Sequence, residues 1–218
     1  MENILDLYHL PCDSECPLIC MDEKSYQLLG DVREPIPMRT GRVRREDYDY
    51  SRNGTCSIFV FTEPLTGWRH VTARHQRTRL DWAEEIAYLL DEVYPHTLKI
   101  KLIMDNLNTH GVASLYAKFS PSKARRLAKC LEIHYTPVHG SWLNIAEIEL
   151  SVMSKQCLHR RINTIEKLNE QLFYWESQRN SAGGRVNWQY TTTDARIHLR
   201  SLYPRVEDKS PNIVWFKR

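Results

Sequence analysis

Ile100-Lys101-Leu102-Ile103-Met104-Asp105-Asn106-Leu107-Asn108-Thr109-His110 is the stretch on which the fold is decided. A nearly unbroken apolar run of strand length stops at an aspartate and gives way to a polar loop, Asn106 to Gly111. Pro17-Leu18-Ile19-Cys20-Met21 repeats the pattern and stops at Asp22. Runs without polar alternation mark strands covered on both faces, the central members of a sheet held between helix layers. If the two strands are neighbours, Asp22 and Asp105 reach one rim of that sheet. Mg²⁺ prefers carboxylate oxygens and keeps several waters, so convergent acids of this kind suit it. The plainer reading of any single acid at a strand end is a solvated turn residue.

Outward from these runs, Thr55 to Thr62 and Trp68 to Ala73 are rich in β-branched and aromatic residues. They flank Glu63-Pro64-Leu65-Thr66-Gly67, which reads as the loop of a hairpin. Trp82, Ile86, Leu89, Leu90 and Val93 recur at helical spacing before Pro95. Ser120-Pro121 starts another helix, and residues 131–137 alternate as a fifth strand. The pattern is helical from Trp142 to about Leu158 and again from Ile165 through Leu168, Leu172 and Trp175. Asn180 to Gly184 reads as a turn or linker, and a last short helix follows Thr191-Thr192-Thr193-Asp194. The expected class is α/β, a mixed five-stranded sheet flanked by helices with a helical C-terminal end. The expected organisation is a domain over 1–180 followed by a turn and short helix over 181–218.

The chain has 218 residues, 42% apolar and 26% charged, with a formal net charge of +3. That balance describes an ordinary globular chain and is too slight to establish a polyanionic partner, so charge must be read locally. No stretch approaches the roughly 18 apolar residues of a membrane span. Six cysteines without a secretion signal point to a reducing, cytoplasmic compartment. Cys12, Cys16 and Cys20 fit only the looser end of zinc-ligand spacing, and no second ligand pair stands at a diagnostic interval.

The helix from Trp142 holds two glutamates. At about 100° per residue, Trp142, Ile145, Ala146, Ile148, Leu150, Val152 and Met153 cover a broad arc, with Glu149 inside it and Glu147 at its edge. An edge acid can pack its stem and aim its carboxylate into a cleft. Glu149 is then either exposed on a less buried helix or buried and paired, and periodicity leaves both glutamates open.

Asp105-Asn106-Leu107-Asn108-Thr109-His110, then Tyr135-Thr136-Pro137, then His139-Gly140-Ser141-Trp142-Leu143-Asn144-Ile145-Ala146-Glu147 form an ordered series. The series resembles the catalytic half of bacterial insertion-sequence transposases of the mariner superfamily. Met21-Asp22-Glu23-Lys24 is similar to that family's first acidic motif, and Thr191 to Arg196 through Leu202-Tyr203-Pro204 is similar to its end. The resemblance implies a ribonuclease H-like fold with an Asp-Asp-Glu triad at Asp22, Asp105 and Glu147. It selects Glu147 because the family's acid stands three residues after the Asn of the Leu-Asn pair, here Asn144. It further implies two-metal-ion DNA cleavage and strand transfer with Mg²⁺ or Mn²⁺, DNA as partner at element ends and target, and a homodimer when active. A bacterial, nucleoid-associated location goes with that reading.

There are two departures. The spacing from Asp105 to Glu147 exceeds that of animal mariner-type enzymes. Relatives also carry a helix-turn-helix region before the first aspartate, where this chain has 21 residues, so the expectation is that such a region is separately encoded or lost. Another metal nuclease of the same fold and an inactive DNA-binding remnant are the competing readings.

Lesser signals complete the expectations. Basic clusters at 39–45, 123–129 and 155–161 can neutralise phosphates without reading bases. Lys155, Arg160 and Arg161 are singled out because they continue the pattern of the Glu147 helix. Trp142 is a candidate to stack on a base. Asn106, His110, His139 and Asn144 are candidate supports around the acids.

Overall fold

The computed structural model describes residues 1–203. Pro204 of the family-like end and the remainder of the 181–218 segment lie outside the described residues. Five strands, β1 (Leu18–Asp31), β2 (Tyr50–Glu63), β3 (Trp68–Arg74), β4 (Ile100–Met104) and β5 (Leu131–Tyr135), form one sheet of order β3-β2-β1-β4-β5. The hairpin β2–β3 and the β1–β2 pair are antiparallel, whereas β4 is parallel to both β1 and β5. The two apolar runs are therefore adjacent and central, as expected of strands buried on both faces.

Helices cover both faces: α1 (Glu2–Tyr8), α2 (Arg79–Tyr88), α3 (Val112–Lys118), α4 (Pro121–Lys129), α5 (Ala146–Gln156), α6 (Ile165–Ser181) and α7 (Thr192–His198). Strand alternation sorts the side chains between layers. Ile19, Met21, Phe59 and Phe61 pack on one face with Trp82 and Ile86 of α2, Leu115 of α3 and Leu127 of α4. Ile58, Val60, Val71 and Ala73 pack on the other with Met153 of α5 and Leu168, Leu172 and Trp175 of α6. A third cluster joins Ile4 and Leu5 of α1 to Cys20, Ile103, Leu143 and Ala195 of α7. Trp82 is wholly buried, and truncating a side chain of that size costs about 3–5 kcal/mol. The capping box of Thr78 and Asp81 fixes where α2 begins.

Several expectations need correction. β1 does not stop at Asp22 but runs on to Asp31, because β2 continues to pair with it antiparallel after β4 has ended. The helix from Trp142 is interrupted: Ser141–Leu143 is a 3₁₀ turn, Asn144 is extended, and α5 starts at Ala146. Asn180 to Gly184 is not a free linker, since Asn180 lies on α6 and brackets the Arg69 backbone, accepting from its N–H (2.9 Å) and donating to its carbonyl (2.8 Å). Gly67, at φ +77°, closes the hairpin, and a Cβ there would meet the backbone of Gly183 and Gly184 at 3.1 Å. The C-terminal segment is tied to the N-terminus by Arg196 on Glu2 (2.7 and 2.8 Å) and Thr192 on Asp6 (2.6 Å).

His70 of β3 is held between Glu85 of α2 (Nε2–Oε2 3.5 Å) and Glu176 of α6 (Nδ1–Oε2 3.3 Å). With a carboxylate at each ring nitrogen, the imidazolium is the form that fits. Burial alone would lower its pKa, but the two glutamates outweigh burial and push it up to about 9. A pKa raised on folding adds stability that is complete below the unfolded value near 6.5 and declines as pH rises through the folded value. Urea unfolding across that window should show a loss on the order of 2–3 kcal/mol between pH 6.5 and 9. His70→Gln should flatten the slope, and an unchanged slope would remove His70 as its source.

Candidate active site

The parallel pairing of β1 and β4 sets Leu18, Ile19 and Cys20 beside Lys101, Leu102 and Ile103. Carried two residues further, the same register brings Asp22 level with Asp105, just past the end of β4. Alternation then decides where each side chain goes. Asp22 shares the face of Cys20 and looks toward α5, while Glu23 shares the face of Met21 and looks toward α2.

Asn144 places the third acid. Its buried side chain donates to the Met21 carbonyl (2.8 Å) and accepts from the Ala146 N–H (3.2 Å), fastening the start of α5 to β1 one residue before Asp22. Tyr8 of α1 supports the same turn, donating to the Leu143 carbonyl (2.6 Å) and accepting from the Ile145 N–H (3.3 Å). Glu147, exposed on the first turn of α5, consequently lines one cleft with Asp22, Lys24, Leu150, Ser151 and Ser154.

Asp22, Asp105 and Glu147 are electrostatic neighbours. The Asp22 carboxyl is pushed up to about 6, first by burial and then by the charges of Asp105, Glu147 and Glu23, against a lowering hydrogen bond from the Glu23 N–H. That bond, 2.7 Å to Oδ1, fixes one oxygen of an acid that lines the cleft. Among the described residues neither Asp22 nor Glu147 has an ion-pair partner, and Asp105 has only His110, with Nδ1 3.9 Å from Oδ1. Nor, among those residues, are any three His, Cys, Asp or Glu side chains gathered closely enough to cage an ion by themselves. Such a half-open set fits a hard divalent cation, which takes one or two carboxylates and fills its shell with water and substrate phosphate.

Glu149 has the opposite fate. It is fully buried, accepting from Arg69 of β3 (2.9 Å to Oε1) and from Arg179 of α6 (3.2 Å to each oxygen). The alternative left open by periodicity therefore resolves by pairing, and the signal that could have found it was the apolar setting of Glu149 within the helix arc.

The remaining candidates are dispersed. His110 is buried behind Asp105, between Glu23 and Trp82. Burial would lower its pKa, but Asp105 and Glu23 outweigh burial and raise it. Asn106 and His139 are exposed in loops, His139 at φ +61°. Trp142 is 41% exposed and packs edge-on against Tyr190.

Lys155 lies exposed on the last turn of α5, but Arg160 and Arg161 do not continue that helix. The chain leaves α5 after Gln156 because Ile162 returns to the sheet, where its carbonyl accepts from the Leu29 N–H (2.9 Å). Arg161 is engaged by Asp31 (2.9 Å) and the Asp47 carbonyl (2.8 Å), and Arg160 bonds Gln171. Of the other basic clusters, 39–45 forms an exposed ribbon closed by Ile36–Arg45 and Arg39–Arg42 bridges. In the 123–129 cluster, Lys123 and Arg126 both pair with Asp91. All six cysteines are free.

A family model described as DDE superfamily endonuclease matches residues 17–169. Three solved structures of the Mos1 mariner transposase align with the fold. The paired-end complex with Mn has a TM-score of 0.50 at 12% identity, over 84% of this chain and 56% of that one. The pre-cleavage transpososome has 0.53 at 13%, over 84% and 55%. The strand transfer complex has 0.50 at 13%, over 81% and 51%. This likeness is one of fold, the ribonuclease H-like sheet and its helix layers, and the chain spans little more than half the length of those it matches. A comparison with curated protein sequences finds no match.

Removing the Glu149 carboxylate strands Arg69, itself 1% exposed, and breaking a buried pair from one side costs about 3–5 kcal/mol. Glu149→Ala should lose stability of that order in urea unfolding. Glu147→Ala, which uncovers no buried charge, should remain within about 0.5 kcal/mol of the parent.

Proposed function

The chain belongs to the DDE superfamily endonuclease family, and from that premise we propose that it is the catalytic domain of a DNA transposase. It cuts DNA at the ends of a mobile element and joins the freed 3′-hydroxyl to target DNA. The observation that carries this reading is the meeting of Asp22 and Glu147 in one cleft, with Asp105 brought level with Asp22 by the β1–β4 register.

In this reading Asp22, Asp105 and Glu147 would hold the divalent cations, Mg²⁺ or Mn²⁺. Bound there, the cations would activate a water or 3′-hydroxyl and stabilise the charge that develops on the attacking and leaving oxygens. The chain's own groups bind and orient. Asp22, which lines the cleft, is held through Oδ1 by the Glu23 N–H. Lys24, two residues along the same strand face, and Ser151, one helical turn beyond Glu147, border that cleft and can meet phosphate oxygens. None of the acids needs to serve as a strong base, because each acts as an anionic oxygen donor.

DNA is the partner on this account. Lys155 and Arg160 supply phosphate contacts, and Trp142 stacks on a base, while Arg161 contributes through the segment it pins. A homodimer and a separately supplied helix-turn-helix region for end recognition belong to the same proposal, as does a bacterial, nucleoid-associated setting. Among the described residues no helix is long and apolar enough to cross a membrane.

Supercoiled plasmid DNA with Mn²⁺ provides the test. The protein should nick it, and EDTA should stop the reaction. Asp22→Asn, Asp105→Asn and Glu147→Gln should each lose more than the roughly 10–100-fold typical of residues that merely support a ligand. Wild-type cutting by any of them would remove that acid from the site. A chain that nicks the plasmid but never joins a pre-cut 3′ end to it would be a nuclease and not a transposase.

A further inference from the structure

Behind the acids lies a second group that the reaction does not itself require. Glu23 Oε1 stands 2.7 Å from His110 Nε2, and the two side chains are 3% and 0% exposed. Nδ1 of the same ring faces Asp105 Oδ1 at 3.9 Å. The Trp82 indole, wholly buried on α2, lies against the imidazole with ring centres 5.8 Å apart and planes 19° from parallel. Neither Glu23 oxygen and neither His110 nitrogen makes an aligned hydrogen bond, so the contacts are close approaches with room to tighten. Arg77, 4.0 Å from Glu23 and 56% exposed, is too distant and too solvated to replace His110 as the partner of Glu23.

Leaving ionisable groups buried without aligned partners is costly, and an apolar pair could have filled the space behind Trp82. The geometry links the two aspartate segments, since Glu23 follows Asp22 on β1 and His110 closes the loop that begins at Asp105. We infer that Glu23 and His110 form an outer brace in which Glu23 fixes the ring and His110 Nδ1–H turns Asp105 toward the divalent cation. His110 is thus a positioning residue that acts through Asp105, and Glu23 acts through His110. Outer partners of this kind set ligand orientation and affect metal affinity about 10–100-fold.

The inference rests on the proposed triad, so the test reads Mn²⁺ binding to the full chain, followed by the free-ion EPR signal, without DNA or turnover. An asparagine amide can take the place of the Nδ1 edge of the ring, a glutamine amide that of the Nε2 edge, and leucine offers neither. His110→Asn should keep Mn²⁺ affinity within a few fold, whereas His110→Gln and His110→Leu should weaken it about 10–100-fold. A purely structural role predicts the reverse order, because asparagine leaves the largest cavity in the buried site. Affinities that follow melting temperature, or wild-type affinity in both the Gln and Leu variants, overturn the brace. Where substitutions at 110 fail to fold, the near-isosteric Glu23→Gln should still weaken Mn²⁺ binding several fold, and unchanged affinity overturns it equally. Asp105→Asn separates the two levels of the argument. Lost binding there with intact binding in the Gln and Leu variants sinks the brace alone, and retained binding sinks the triad and the brace together.

Discussion

A fully buried carboxylate organises this molecule. Glu149 is fully buried and is neutralised by Arg69 from β3 and Arg179 from α6. A charge in that position is tolerable only if its partners stay where they are, so α5 has one rotation about its axis that keeps Glu149 inside. Glu147, two residues earlier and therefore roughly 200° around the helix, is directed outward to the cleft. The same arginine reaches further, since Arg69 also donates to the carbonyls of Gly67 (2.6 Å) and Arg179 (3.2 Å). Hairpin loop, strand end and helix end are locked around one anion.

Rotation alone does not bring α5 to the right height. That is the work of Asn144, which is bonded to the backbone of Met21, and of Tyr8, which comes from the opposite end of the sequence to hold Leu143 and Ile145. The site is thus assembled from short-range hydrogen bonds to backbone atoms, which fix position, and from one distant ion pair, which fixes orientation. Neither device supplies a cation to the acids themselves.

The parts of this arrangement that could be read from the sequence are those with a periodic signature. Two apolar runs ending in aspartates mark central strands, though not that they are neighbours, and the Pro- and Gly-containing loop 63–67 marks the hairpin. Asp22 was misplaced to a strand end because a strand's length depends on its partners, and β2 extends β1 well past the acid. Helix α1 was passed over because its seven residues are short for a periodic signal, although its buried face anchors the turn before α5. Helix α3, between the loop 106–111 and the helix begun by Ser120-Pro121, goes unread for the same reason. Periodicity favours Glu147 over Glu149 only modestly, since the partners that let Glu149 be buried, Arg69 and Arg179, lie 80 and 30 residues away. The resemblance selects Glu147, and the fold buries Glu149 while leaving Glu147 exposed at the cleft. Arg160 and Arg161 failed as extensions of the helix because nothing local announces that Ile162 pairs back to Leu29.

The distribution of charge pairs gives these pieces a common logic. Away from the cleft, three buried or half-buried acids are matched by cations, Glu149 by two arginines, Glu85 by Arg74 and His70, and Glu176 by His70, while Glu63 accepts from the Tyr94 hydroxyl. At the cleft the matching stops, and the Asp22 carboxyl is held up at about 6, first by burial and then by the charges of Asp105, Glu147 and Glu23. These pairs lie outside the cleft, whereas among the described residues neither Asp22 nor Glu147 has an ion-pair partner and Asp105 has only His110. An arginine among the three acids would relieve the repulsion and occupy the site. The buried His110 ring is set behind Asp105 and against Glu23, outside the cleft.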